Sequence, residues 1–194
     1  MLMGAEMAYT AKDYEKALHI YKQLKDKAAS MERRQLAKTG MLRSAHMLGN
    51  EEEIIFTATD LLADTKLAPE LSNEAHYYRA KAYLDAGKTD GAMEDLKILA
   101  KDTRNVYGAE AKYKVAQIYF DGGQTDKAEQ EVLNYIEVST PHTYWLARSF
   151  VLLADVYMKL GRNLDAKQYL LSLKQNYQAD DDIAGMIESR HCRN

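Results

Sequence analysis

The chain of 194 residues is 46% hydrophobic, enough for a sizeable core, and its 26 Lys and Arg against 29 Asp and Glu leave a formal charge of -3 with both signs mixed along its length. That mixture argues against a basic face for nucleic acid or anionic lipid. No apolar run approaches the roughly 18 residues needed to cross a bilayer, the opening MLMGAEMAYTAKD is too polar for a signal peptide, and the single Cys192 excludes an internal disulfide.

Helical periodicity predicts elements at 1–11 and 13–28, then 32–48 and 50–65, 70–86 and 88–102, 106–122 and 124–138, and 142–160 and 162–177. The first pair centres on Ala17, with Lys12 at its turn. The second turns at Gly49 and continues to Ile54. In the third, Ala75, Tyr78, Ala82 and Ala86 line one helix, Gly87 ends it, and Ala92, Leu96 and Leu99 line the next. The fourth repeats this with Ala116, Tyr119, Gly123, Ala128, Val132 and Tyr135, and the fifth with Ala154, Tyr157, Gly161, Ala166, Leu170 and Leu173. Thr89, Thr125 and Asn163 are expected to start the second helices as caps, with Asp90 and Asp126 adding early negative charge. Pro69 and Pro141 fall between pairs, near a first helical turn. After Asp180, Asp181 and Asp182, a short helix bearing Ile183, Met186 and Ile187 is expected to cover the end of the stack.

The landmarks Ala17, Ile54, Ala92, Ala128 and Ala166 are separated by steps of 37, 38, 36 and 38 residues. One helix pair has therefore been copied about five times. Such a unit cannot bury its apolar face alone, so copies must stack into a solenoid, whose extended surface favours partner binding over chemistry. Small Ala at the recurrent positions lets helix axes approach, while Leu and Tyr fill the layers between. Nothing in the sequence divides the array, so it reads as one domain over 1–194 with units at 1–29, 30–67, 68–104, 105–140 and 141–178, and a capping segment at 179–194. Met1 falls well inside the first copy, so the expectation is a piece of a longer protein. Its compartment is then cytoplasmic, or periplasmic if a leader or anchor lies outside this sequence.

Tyr14, Ala17, Tyr21 and Leu24 in the first copy, and the Ala, Tyr, Gly and Ala columns of the last three, resemble the tetratricopeptide repeat; the second copy is degenerate at Leu42 and Ile54. The resemblance implies an all-α, right-handed superhelix of about five antiparallel helix pairs whose first helices line a concave groove. Units of 36 to 38 residues, longer than the usual repeat, further resemble bacterial cell-envelope members of the family.

Counted along that motif, the groove should present Tyr77, Lys81 and Asp85, then Tyr113, Gln117, Phe120 and Asp121, then Asp155, Met158 and Lys159, with Leu84 and Val151 among them. The paired Asn positions of the family's carboxylate-gripping clamp hold Lys81 and Asp85, Gln117 and Asp121, and Asp155 and Lys159, so that clamp is absent. An aromatic floor edged by Asp is expected to take a protein or peptide segment with apolar anchors beside basic residues. Packing between neighbouring helices is the alternative use of those tyrosines, and an architectural or self-associating segment is the alternative function. An enzyme with an unrecognised carboxylate site comes last. His19, His46, His76, His142 and His191 are scattered among the units without metal-ligand spacing, the His191–Cys192 pair lacks an orienting third group, and no glycine motif cradles phosphate. No catalytic residue, metal or cofactor is expected.

Overall fold

The computed structural model describes residues 1–138 and 140–191. Cys192, and with it the His191–Cys192 pair, lies outside the described residues. Those residues form eleven helices and no strand: α1 (Leu2–Thr10), α2 (Tyr14–Lys27), α3 (Met31–Leu48), α4 (Glu51–Leu62), α5 (Pro69–Asp85), α6 (Thr89–Leu99), α7 (Val106–Asp121), α8 (Thr125–Glu137), α9 (Thr143–Lys159), α10 (Asn163–Asn176) and α11 (Ile183–His191). The chain forms two compact units, Met1–Asp95 and Leu96–Asn194, with the boundary inside α6.

Short turns make α1/α2, α3/α4, α5/α6, α7/α8 and α9/α10 helical hairpins. Gly49, Gly87, Gly123 and Gly161 end four of the first helices with φ between 65° and 78°, the left-handed region where a Cβ is penalised. Lys12 holds the corresponding place after α1 and takes φ 63° without being Gly. Side-chain caps occur where the chain enters a helix after a polar residue: Asp13, Ser30, Asn50 and Asn105 accept from the backbone N–H groups of Lys16, Arg33, Glu53 and Gly108. The expected caps at Thr89, Thr125 and Asn163 do not form. Each of these residues is already the first helical one, and Gln124 and Arg162, which precede two of them, make no side-chain cap bond. Asp90, Asp126 and Asp165 in the first turns still provide charge of the right sign.

In the first unit, Ala5, Ala8, Ala17, Leu18, Tyr21 and Met41 form one buried cluster, and Leu42, Ala45, Ile54, Ala58, Leu61, Ala75 and Ala82 a second. Its polar tie is Asp95, only 1% exposed, which accepts from Arg79 Nε and Nη2 at 2.9 and 2.7 Å and from His76 Nδ1 at 2.7 Å. The scattered His76 of the sequence is thus a satisfied partner in a buried ion cluster joining α5 to α6. In the second unit the core runs through Ala116, Val132, Leu153, Ala154, Ala166 and Leu170 and includes Ile183 and Ile187 of α11. Ala92, Ala128 and Ala166 are at most 1% exposed, as close crossing of helix axes requires. At the start of α7, Gly108 lies against the backbone of Leu99 and Asp102, an approach that leaves no room for a Cβ.

Within the second unit α7 packs on α9 and α9 on α11. Tyr144, in the first turn of α9, donates to Asp182 just before α11, while Arg190 near the end of α11 grips Asp155 farther along α9. Those two contacts make α11 parallel to α9, stacked as the first helix of a further pair would be.

Candidate interaction site

The first helices of the second unit carry an aromatic cluster around one arginine. Tyr113 is halfway along α7 and 7% exposed; its ring lies 5.7 Å from that of Trp145 and 4.8 Å from the Arg148 guanidinium, both on α9. Arg148 also sits 5.8 Å from the Trp145 ring and 6.0 Å from that of Tyr144. Its Nη2 donates to the Tyr113 hydroxyl at 3.0 Å and its Nη1 to the Tyr144 hydroxyl at 3.3 Å. Both hydroxyls pass their own protons outward. Tyr113 donates to Gln117 Oε1 at 2.9 Å, Gln117 Nε2 donates to Asp121 Oδ1 at 2.8 Å, and Tyr144 donates to Asp182 at 2.9 Å.

Burial raises the pKa of the Tyr113 hydroxyl, with Arg148 opposing, and burial also raises that of Tyr144. Burial opposes the charge of Arg148, but its bonds to the two hydroxyls outweigh this and hold it above the ordinary guanidinium range. These phenols and this guanidinium keep their protons at any physiological pH. The cluster can bind and orient a group, and the carboxylates at its ends, Asp121 and Asp182, are engaged as acceptors of its hydrogen bonds.

The expected site residues fall into four settings. Tyr77, Lys81 and Asp85 lie on α5 in the first unit, where the Lys81 ammonium stands 5.3 Å over the Tyr77 ring and Asp85 is exposed. Tyr113, Gln117 and Asp121 are joined in the hydrogen-bonded chain just described. Phe120 and Met158 are half-buried at the edge of the same core, with Lys159 5.7 Å over the Phe120 ring. Asp155 is already occupied: Arg190 Nε and Nη2 each donate to it at 2.7 Å. Val151 is core and Leu84 half-buried.

Arg148, Trp145, Tyr144 and Arg190 were not singled out by the sequence. One signal for Arg148 was available. It stands in the repeat column occupied by Glu74 and Glu110 in the two preceding copies, so the charge reverses there.

The first unit also carries open space. A groove of about 390 Å³ is lined by Glu6, Tyr9 and Thr10 of α1 and Thr39, Gly40 and Arg43 of α3, and a more apolar one of about 400 Å³ by Leu2, Leu24, Ala28 and Leu36 among others. Arg43 is committed to Glu74, to which it donates twice at 2.6 and 2.9 Å. Among the described residues no group of three or more His, Cys, Asp or Glu is placed to hold a metal ion, and no helix is long and apolar enough to cross a membrane.

Residues 74–102 and 147–175 each match a tetratricopeptide repeat family. No curated protein sequence matches the chain. Among solved structures, MamA is similar over 98% of this chain and 97% of its own at 18% identity, with a TM-score of 0.69. A second MamA structure covers 92% of this chain and 94% of its own at 17% identity and a TM-score of 0.67. The nearly identical TPR-like repeats of a Podosopora anserina putative kinesin light chain are similar at 18% identity over 98% of this chain and 94% of theirs, with a TM-score of 0.62. Two matched repeats within an all-helical array of stacked hairpins give the chain the tetratricopeptide-type solenoid fold.

Proposed function

We propose that the chain is a noncatalytic interaction scaffold that binds a protein or peptide segment across the first helices of its helix pairs. The observation that carries this reading is the Tyr113, Tyr144, Trp145 and Arg148 cluster with half-buried Phe120 and Met158 farther along the same two helices. It offers aromatic and apolar anchoring area with fixed polar groups. Asp121 favours Lys or Arg beside the apolar anchors of the partner, whereas Asp155 is neutralised by Arg190. Nucleic acid is a poor partner for a chain of net charge -3. A bacterial cell-envelope setting, which rests on the length of the repeats, belongs to the same proposal.

The test is selection of a displayed random dodecapeptide library on the full chain. Wild type is expected to enrich a family of peptides, and the Phe120→Ala, Met158→Ala double variant, checked for fold by circular dichroism, to lose most of them. Absence of any enriched family, or equal enrichment by the folded variant, refutes the reading.

Self-association is a second reading with its own observation. Met3 and Met7 on α1 are 73% and 66% exposed, and Met31 and Leu36 on α3 are 50% and 49% exposed, a large apolar load for one unit's surface. Sedimentation velocity that is independent of concentration removes it.

A further inference from the structure

We infer that Arg148 is the anchor for a carboxylate, the Asp or Glu side chain of the bound protein segment; this rests on the scaffold reading above and specifies the partner's chemistry. The first observation is an internal comparison. In the first unit Arg43 of α3 meets Glu74 of α5 across a 31-residue offset and makes a two-bonded ion pair at 2.6 and 2.9 Å. In the second unit the same offset relates Gln117 of α7 to Arg148 of α9. Neutral Gln117 now faces the arginine, with the Tyr113 hydroxyl bridging them. The guanidinium now stands in the column that Glu74 holds in the first unit, and the column opposite, held there by Arg43, offers it no carboxylate: among the described residues Arg148 makes no ion pair within 4 Å, and its hydrogen bonds go to two phenol oxygens.

The second observation is what holds it there. A guanidinium has five N–H donors in a rigid plane. Two are spent on Tyr113 and Tyr144, and the rings of Tyr113, Trp145 and Tyr144 stand within 4.8 to 6.0 Å of its central carbon. The side chain is thus oriented before any ligand arrives, so a bound group is spared the entropy of ordering it. The remaining donors suit an acceptor with two oxygens in a plane, which is the geometry of a carboxylate. Asp121 and Asp182 terminate the relays on either side. Their charge disfavours a phosphate dianion, and a monoanionic carboxylate fits the field better.

The placement also sets a spacing. Met158 lies ten residues beyond Arg148 on α9, about 15 Å along a helix. An extended segment covers that distance in about four or five residues. The expected partner carries an Asp or Glu about four or five positions from a large apolar residue.

The library selection above decides this separately from the scaffold reading. Peptides enriched on wild type should share an Asp or Glu at that spacing from an apolar residue. Trp145 is the sole Trp of the chain and touches the cluster, so its fluorescence reads binding directly. The Glu→Gln analogue of the best peptide should bind wild type at least about tenfold more weakly. The Arg148→Gln variant should bind both analogues equally. Arg148→Lys, which keeps the charge and stresses the fold less, should retain a smaller preference for Glu. An enriched family without the acid, or an unchanged Glu preference in either folded variant, overturns the inference and leaves the scaffold reading standing. A phosphoserine analogue bound more tightly than the Glu peptide overturns the choice of carboxylate.

Discussion

Replacing Gly108 with Ala adds one methyl group at a point where the chain has no free volume, and the neighbours are backbone. The new Cβ would collide with the Asp102 carbonyl oxygen and stand 2.6 Å from the Leu99 carbonyl oxygen. Ordinary contact needs about 3.5 Å, so the start of α7 must retreat by about 1 Å or more. That retreat works against the Asn105 cap, whose Oδ1 accepts from Gly108 N at 2.9 Å. Overpacking costs about 1 to 3 kcal/mol and a weakened cap about 1 kcal/mol, while the better helix propensity of Ala returns about 1 kcal/mol. The net expectation is a loss of about 2 kcal/mol. Gly185 in α11 is the control, because a Cβ there meets nothing within 4 Å. Gly185→Ala should be neutral or stabilising by up to about 1 kcal/mol. Both positions and Trp145 belong to the second unit, so urea unfolding followed by Trp fluorescence reads the two variants on one scale. A Gly108→Ala chain as stable as wild type would refute the packing argument.

Asp95→Asn should cost about 3 kcal/mol in urea unfolding followed by circular dichroism, because it strips the carboxylate from partly buried Arg79. Burial pushes the Asp95 carboxyl up, but the bonds from His76 and Arg79 outweigh it and hold the folded value below the ordinary range. Its contribution is therefore complete above the unfolded value of about 3.9 and is lost as pH falls through the lower folded value, so the gap between wild type and Asp95→Asn should close on acidification below about pH 4. Lys12→Gly should relieve the left-handed strain at φ 63° and stabilise by about 1 kcal/mol, read as a melting temperature raised by about 2 to 4 °C; a lowered value would contradict the strain.

Helix ends were legible because the left-handed turn has a residue-specific cost: glycine at Gly49, Gly87, Gly123 and Gly161 announces the conformation, and phase alone pointed to Lys12. Buried Ala128 and Ala166 were legible for a similar reason, since close helix crossings admit little else. Caps were less so. Ser30, Asn50 and Asn105 do the work expected of Thr125 and Asn163, and a shift of one residue separates a cap from a first helical position. The site divided along the same line. Which positions face outward from a first helix follows from periodicity. Which side chains find each other across neighbouring first helices does not, because the Arg148–Tyr113 and Arg190–Asp155 contacts both join residues 35 apart. Asp155 consequently looked like a rim charge awaiting a partner, when the chain supplies that partner itself.

The parallel stacking of α11 gives the array a direction. α11 buries Ile183 and Ile187 and is latched to α9 near both of its ends, by Tyr144 to Asp182 and by Asp155 to Arg190. α11 can leave α9 only when both latches open, so the α9 surface that carries Arg148 is held in one arrangement from both ends.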